Sequence, residues 1–378
     1  MQHEIFLEKE HVLKWVKTKR TTLDNNNKSE LRFVDLFSGC GGLSLGIVRA
    51  AELNGLRAKC AFALDSNLAP LNVFKDNIPH IDGAVEKNDI LELFDSELSK
   101  ELNSKELELK TKVGKVNVLV AGPPCQGHSD LNNSTRRYDP RNKLYLSCIR
   151  AVEVFEPDLI IIENVPTVIH SKEGVVQVTE KHLSEKGYTV KHININFLDL
   201  GLPQSRKRHL LVASKNQNFI SCLATLKQRE QKATLREYIE DSQASDELIY
   251  KSGKLSKENI ARVQFLFDNN LYDLPNSQRP PCHRDKSHSY KSVYGRLNWD
   301  EPAQTITSGY GSMGQGRYIH PSEKRTINSR EAARIQGFPD YYSFESTSKL
   351  TELRKMIANA VPPQLTFSIC SHYFKEIA

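Results

Sequence analysis

The chain has no uninterrupted apolar stretch long enough to cross a bilayer, which excludes a membrane-spanning helix. None of its 7 cysteines forms a Cys-x-x-Cys pair. Neither a disulfide framework nor a zinc cluster is therefore the expected organising device, and no metal is assigned. No secretory leader is expected from the amino-terminal region, since Glu4, Glu8, Glu10 and Lys14 break any apolar stretch. The expected compartment is the cytoplasm. Charge of one sign is scarce: the net charge is +6 and the pI about 8.8, which permits a polyanionic partner without demanding one. What is present is ordinary for a globular protein, with 378 residues, 39% hydrophobic and 26% charged. That is enough chain for one large core or two domains.

Residues 1–30 read as a polar arm, with a helical pattern over Phe6–Lys19 and an Asn-rich linker over Thr21–Ser29. The arm is expected either to dock or to be disordered. From Leu31 onward, short apolar runs (Leu31–Phe37, Cys60–Leu64, Val116–Ala121, Leu159–Ile162, Val190–Asn196, His209–Ala213) alternate with helical stretches. The helices are expected near Gly42–Leu53, Asn67–Asp76, Ile90–Lys100, Lys143–Phe155 and Val175–Glu185. Alternation of this kind predicts an α/β fold with a mostly parallel sheet covered on both faces, and ligands at the carboxyl ends of its strands. The Glu/Lys/Leu-rich stretch Glu92–Lys112 reads as a solvated helix face. After Ser214 the alternation fades into a polar region rich in Gly and Pro. The expected division is an arm (1–30), a catalytic domain (31–214), a smaller irregular domain (215–354) and a segment (355–378) that returns to the first domain.

Three features fall at strand ends. The glycine-rich turn in Asp35-Leu36-Phe37-Ser38-Gly39-Cys40-Gly41-Gly42-Leu43-Ser44-Leu45-Gly46 lets backbone approach a ligand closely. It is not a P-loop, since no Gly-Lys-Ser/Thr follows, and its glycine spacing does not match GxGxxG. Asp65, after the next strand, can accept hydrogen bonds from ribose hydroxyls, and Asp89 from an adenine amino group; for either aspartate alone a helix N-cap is the competing role. Gly122-Pro123-Pro124-Cys125-Gln126-Gly127 delivers a cysteine from a buried run into a tight turn, a placement that suits a nucleophile. Glu163-Asn164-Val165 closes another apolar run and supplies an acid.

With these pieces placed, the chain resembles the DNA cytosine-5 methyltransferases from Leu31 to Ser368. The motifs that carry the resemblance are DLFSGCGGLSLG at 35–46, GPPCQG at 122–127, ENV at 163–165, QSRKR at 204–208, REAARIQGFPD at 330–340 and NAVPP at 359–363, in the family's order. The resemblance implies a Rossmann-like methyltransferase fold with a target-recognition domain, and S-adenosylmethionine as cofactor. Asp35, Phe37, Ser38, Gly39, Gly41, Gly42, Leu43, Asp65, Ser66, Asp89, Ile90, Pro124, Asn359 and Val361 would line the cofactor site, Phe37 stacking on the adenine. Cys125 would be the nucleophile, Glu163 the residue that grips the target base, and Arg206 and Arg208 the arginines beside it. Three positions depart from the family pattern: Ala358 replaces a usual glycine, Asp65 a commoner glutamate, and His128 an aromatic or apolar residue.

The implied chemistry suits these residue types. Carbon 5 of cytosine becomes reactive when a thiolate adds at carbon 6. Glu163 would share or donate a proton at ring nitrogen 3, and the planar donors of Arg206 and Arg208 suit the base carbonyl and a phosphate. The base must leave the helix stack first. Gln126–Asn142 then reads as a lid, with Gln126, Gly127 and Ser129 near the vacated space and Arg136, Arg137 and Arg141 on phosphates. Pro124, Asn164, Val165, Gln204, Thr307, Gly309 and Tyr310 complete the expected substrate contacts. The basic and aromatic cluster Arg279–Arg296 and the loop Ser312–Arg317 are the expected reading surface. The implied partner is double-stranded DNA, with a separately acting companion restriction endonuclease and nucleoid association in a prokaryote; a monomer carries every part. The competing readings are an RNA cytosine methyltransferase, whose Cys-Phe-Thr segment is absent here, and a DNA-binding regulator without catalysis.

Overall fold

The computed structural model describes residues 8–19, 29–124, 142–170, 174–224, 232–242, 245–285 and 292–377. Its strands are β1 (Ser29–Leu36), β2 (Leu56–Asp65), β3 (Ile81–Lys87), β4 (Val118–Ala121), β5 (Leu159–Asn164), β6 (Thr189–Asn196), β7 (Gln204–Ser205), β8 (Lys207–Ser214) and β9 (Ala303–Gln304). A 7-stranded sheet has the order β3-β2-β1-β4-β5-β8-β6, and β7 and β9 form a separate parallel pair. The strands from β3 to β5 run parallel, and β8 is antiparallel to both neighbours. Chain order reverses between β1 and β4. The ends of these two strands therefore flank the crevice where open α/β sheets bind ligands.

Helices cover both faces. They are α1 (Lys9–Val16), α2 (Gly42–Leu53), α3 (Leu68–Asn77), α4 (Ile90–Leu93), α5 (Ser104–Val113), α6 (Asn142–Phe155), α7 (Val175–Glu185), α8 (Gln217–Ala224), α9 (Leu235–Ile239), α10 (Lys257–Asp268), α11 (Pro281–Arg284), α12 (Ser329–Ile335), α13 (Leu350–Asn359) and α14 (Pro363–Ile377). Alternate residues of β5 feed opposite cores: Leu159 and Ile161 pack towards α2 and α14, Ile160 and Ile162 towards α6 and α7. Such double burial explains the uninterrupted apolar runs of the sequence.

Several expectations need adjustment. Strand β3 carries Gly83 and is mostly half-buried or exposed, so no apolar run announces it. The expected helix Ile90–Lys100 stops at Leu93, and α5 restarts behind a capping box between Asn103 and Glu106. Nor is the charge of 92–112 all solvated. Glu106 is 0% exposed and Arg150 1%. All five guanidinium N–H groups of Arg150 are used, on Glu106, Glu153 and the carbonyls of Lys100 and Glu101. Arg150→Met leaves the buried Glu106 carboxylate without its cation, whereas Glu153 keeps Lys186 and the Ser99 N–H; we expect it to cost about 3 kcal/mol, measured by urea unfolding.

The amino-terminal arm docks over its described part. Val12 and Val16 are buried, Trp15 lies 5.2 Å from Phe367, and Lys9 pairs with Glu237 at 2.6 Å. At the other end, α14 returns to the sheet and packs along α2, where Thr366 Oγ1 donates to the Leu43 carbonyl at 2.7 Å. A satellite core of Val263, Leu266, Leu274, Val293, Tyr294, Met313 and Ile319 gathers part of the irregular region. By contrast α12, Phe338 and Tyr342 join the main core.

Candidate active site

The glycine-rich turn is built by left-handed backbone. Phe37, Gly39 and Gly41 have φ of 58°, 53° and 86°, and Gly41 precedes the first turn of α2. The Ser38 N–H donates to the Leu64 carbonyl at 2.9 Å, and the Gly39 N–H to Asp65 Oδ2 at 3.0 Å. Asp65 also accepts from the Asn67 N–H through Oδ1 at 2.8 Å. Asp65 thus ties the ends of β1 and β2 together. Ser38 Oγ is buried and has no partner among the described residues, an unused polar group facing the turn. Asp89 caps α4 by accepting from the Leu91 N–H at 3.0 Å while its residue stays exposed. Ser66 is exposed, and Leu43 and Ile90 are buried packing residues.

Asp35 lies beneath the turn. It is fully buried, and its Oδ2 accepts from Ser44 Oγ at 2.5 Å. Burial, opposed by that hydrogen bond and aided by the nearby Asp65 charge, pushes its carboxyl up from 3.8 to about 7. The unfolded chain ionises this group first, so Asp35 subtracts stability as the pH rises from about 4 to about 7.

The opposite wall comes from the end of the chain. A Cβ on Gly42 would lie 2.1 Å from the Val361 carbonyl oxygen. Only glycine permits that approach between α2 and the segment carrying Asn359 and Val361. Asn359 is exposed and Val361 8% exposed. A Cβ on Gly122, just after β4, would lie 3.8 Å from Glu163 Oε2 and 4.0 Å from Val361 Cγ2. The nucleophile turn, the acid and the 359–361 wall therefore share one space. Glu163, 6% exposed, has Arg208 Nε 2.5 Å from its Oε1. The two form a close ion pair, and Oε1 accepts no hydrogen bond from the described residues. Asn164 donates to the Pro123 carbonyl at 3.4 Å and accepts from the Val165 N–H at 2.8 Å, holding the ends of β4 and β5 side by side. Pro124 is exposed at the mouth. Cys125, Gln126, Gly127, Ser129, Arg136, Arg137 and Arg141 lie outside the described residues.

Other expected contacts are placed elsewhere. Gln204 is wholly buried, bonded at 2.9 Å to the Ile306 N–H and at 2.7 Å to Gln336. Tyr310 is wholly buried, with its hydroxyl on Ser329 at 2.8 Å. Both were expected to touch DNA, but their polar atoms are turned inward. Arg206 Nη1 donates to the Ala358 carbonyl at 2.7 Å, and its guanidinium lies over Phe197, so it braces the 357–361 segment. Thr307 is half-buried on the Tyr318 hydroxyl, and Gly309 is pressed against Gln315. In the basic cluster, Arg296 stacks over Phe267 at 4.2 Å and Tyr294 is buried. Arg317 is committed to Asp273 and to the Tyr272 and Arg296 carbonyls. Lys286, His288, Tyr290 and Lys291 lie outside the described residues. His320, Glu323 and Glu331 come within reach of one cation. Arg325 bonds both carboxylates, however, and His320 Nδ1 accepts two backbone N–H groups. The cluster is thus a clasp across the 320–331 segment.

Residues 31–375 match the model of the C-5 cytosine-specific DNA methylases. The chain belongs to this family. Among the curated relatives of the methylase is the Type II methyltransferase M1.BsuMI of Bacillus subtilis, 40% identical over 99% of this chain and 86% of that protein. The Type II methylase M.HgiDII of Herpetosiphon aurantiacus is 31% identical over 88% and 92%. A solved putative DNA modification methyltransferase encoded in an Escherichia coli prophage shares the fold at a TM-score of 0.62, with 23% identity over 92% of this chain and 99% of that one. The Entamoeba histolytica methyltransferase EhMeth does so at 0.62, with 19% identity over 93% and 100%. The family is a class of S-adenosylmethionine-dependent methyltransferases. Among the described residues of the methylase, no helix is long and apolar enough to cross a membrane. Sequence reading missed Gln336, which anchors the carbonyls of Ile357, Ala358 and Ala360 from within the REAARIQGFPD motif, and no local pattern signals that role.

Proposed function

We propose that the methylase is the modification enzyme of a restriction–modification system: it methylates carbon 5 of one cytosine in a defined sequence of double-stranded DNA and acts as a monomer beside a separate endonuclease. The observation that carries this reading is the meeting of Gly122, Glu163 and Val361 at the switch point of the sheet. A flipped base entering there lies between the nucleophile turn and the cofactor wall. The residues present fit S-adenosylmethionine: the unpartnered Ser38 Oγ, the Asp65 carboxylate and the open face of Gly122 offer polar and steric room beside the turn. Phe37, Ser38, Asp65, Asp89, Asn359 and Val361 would hold it, and when bound it supplies an electrophilic methyl group.

The remaining work belongs to the chain. The Cys125 thiolate adds to carbon 6 of the cytosine, forming a C–S bond and making carbon 5 nucleophilic. Glu163 holds a proton at ring nitrogen 3, in a buried position where that hydrogen bond does not compete with water. Arg208, already against Glu163, orients the carboxyl and offers its remaining donors to the base carbonyl. After methylation, a water molecule takes the carbon-5 proton, the released electron pair forms the carbon 5–carbon 6 double bond as the C–S bond breaks and the thiolate leaves, and the nitrogen-3 proton returns to Glu163. We assign DNA reading to residues 257–319, the part of 215–354 built around the satellite core, which Leu297, Ala303, Ile306, Tyr310 and Tyr318 tie to the main core.

Glu163→Gln should lower single-turnover methyl transfer about 10²- to 10⁴-fold while leaving cofactor binding within about threefold of wild type. Tritium transfer from labelled S-adenosylmethionine to duplex DNA, with the product nucleoside identified, tests the reading as a whole. Label in 5-methylcytosine of duplex DNA supports it. Label found only in RNA, or in N4-methylcytosine, sinks it.

A further inference from the structure

The wholly buried Gln204 and Gln336 lie at the junction of the β7–β9 pair with the 357–361 wall. Ser205, next to Gln204, pairs with Gln304, and its carbonyl accepts from Thr305 Oγ1 at 3.3 Å. Gln204 Oε1 accepts from the Ile306 N–H at 2.9 Å. That bond fixes the amide, because an Nε2 group in its place would face the N–H with another donor. Gln204 Nε2 then donates to Gln336 Oε1 at 2.7 Å. The second amide is fixed in turn, and its Nε2 faces the carbonyls of Ile357 at 2.8 Å, Ala358 at 3.2 Å and Ala360 at 3.3 Å. Arg206 meets the Ala358 carbonyl from another side at 2.7 Å. Beyond that carbonyl come Asn359 and Val361, with the Val361 carbonyl seated on Gly42 of the cofactor turn. Every link in this row is directional, and neither amide can flip without setting like against like.

We infer that Gln204 and Gln336 are positioning residues that couple the β9 segment 303–306, which ties the proposed DNA-reading region to the main core, to the cofactor wall 357–361. A shift of the Ile306 N–H on DNA binding moves the Gln204 amide that accepts from it, and with it the Nε2 donor that holds Gln336 Oε1. The wall carrying Asn359 and Val361 responds because its carbonyls have no other way to keep those bonds. Burial raises the stakes, since no water reaches this core to satisfy an unmet amide. The inference rests on the reading of the protein as a DNA methylase.

Two substitutions separate coupling from bulk. Gln204→Glu keeps shape and still accepts from Ile306, but sets an oxygen against Gln336 Oε1. Gln204→Met keeps volume and removes both bonds. The measurement is the affinity of S-adenosylhomocysteine by calorimetry, with and without a duplex bearing the sequence that the wild type methylates. In the wild type, the duplex should tighten S-adenosylhomocysteine by about 5- to 150-fold, the usual span of coupling between sites. In both variants that factor should fall to within about twofold of unity, while duplex-free affinity stays within about threefold of wild type and thermal unfolding confirms folded protein. A wild-type factor near unity, or a factor retained in folded Gln204→Glu and Gln204→Met, overturns the inference. Failure of the wild type to bind or methylate the duplex overturns the DNA-methylase reading instead.

Discussion

Replacing Cys125 by alanine is expected to lower methyl transfer by at least about 10⁴-fold, because the step that activates carbon 5 loses its nucleophile and no other group substitutes for it. Four of the six other thiols are excluded by burial. Cys40, Cys60, Cys148 and Cys370 are buried, and burial pushes each thiol up, Cys40 to about 12. They pack cores on either face of the sheet. The turn that carries Cys125, by contrast, leaves β4 at Gly122 beside Glu163 Oε2 and Val361. Binding should survive the change, since the cofactor wall and the glycine turn are untouched. Rapid-quench single-turnover assays measure the loss, and calorimetry with S-adenosylhomocysteine checks the pocket. A Cys125→Ala enzyme that retains a tenth of wild-type rate contradicts the covalent route.

A large effect on stability is also expected at Gly46. A Cβ there would lie 2.1 Å from the Pro363 carbonyl, 2.1 Å from Thr366 Oγ1 and 2.7 Å from the Phe367 nitrogen. Two of those atoms are backbone of α14, so relief requires the helices to separate. Gly46→Ala should cost about 3 kcal/mol despite alanine's better helix propensity, and Gly46→Val more. The same movement would draw Val361 away from Gly42 and open the cofactor wall. Calorimetric unfolding temperatures of wild type and Gly46→Ala check this; an alanine variant as stable as wild type would mean that α2 and α14 are not packed as described.

Much of the frame was legible because each local signal agreed with the global one. Runs buried on both faces read as apolar strands, and the Pro/Gly-rich turn after β4 announced itself by composition. Helices α2 and α7 have the bounds their periodicity predicts. Strand β3 escaped because an edge strand with Gly83 has too little to bury. Glu106 and Arg150 escaped because charge density in sequence does not disclose a buried partner 44 residues away. For the site, motif order located Glu163, Arg208, Asp65 and Val361 but not what each side chain touches. Gln204 and Tyr310 stand in motifs associated with DNA yet point inward, and Arg206 braces backbone instead of facing open space. For Gln204 and Arg206 those distinctions arise from contacts across 100 residues or more, and for Tyr310 from one 19 residues away, which no local pattern records.

The central claim, methylation of cytosine carbon 5 in a defined DNA sequence by way of Cys125, is tested most directly in a methylation-free bacterial host that expresses the chain, with base-resolution sequencing of 5-methylcytosine in its genome. The account predicts 5-methylcytosine at one short recurring sequence in cells that make the wild type, and none in cells that make Cys125→Ala at equal levels. Soluble, folded wild type that leaves the genome unmethylated, or a Cys125→Ala strain that carries the same marks, would contradict it.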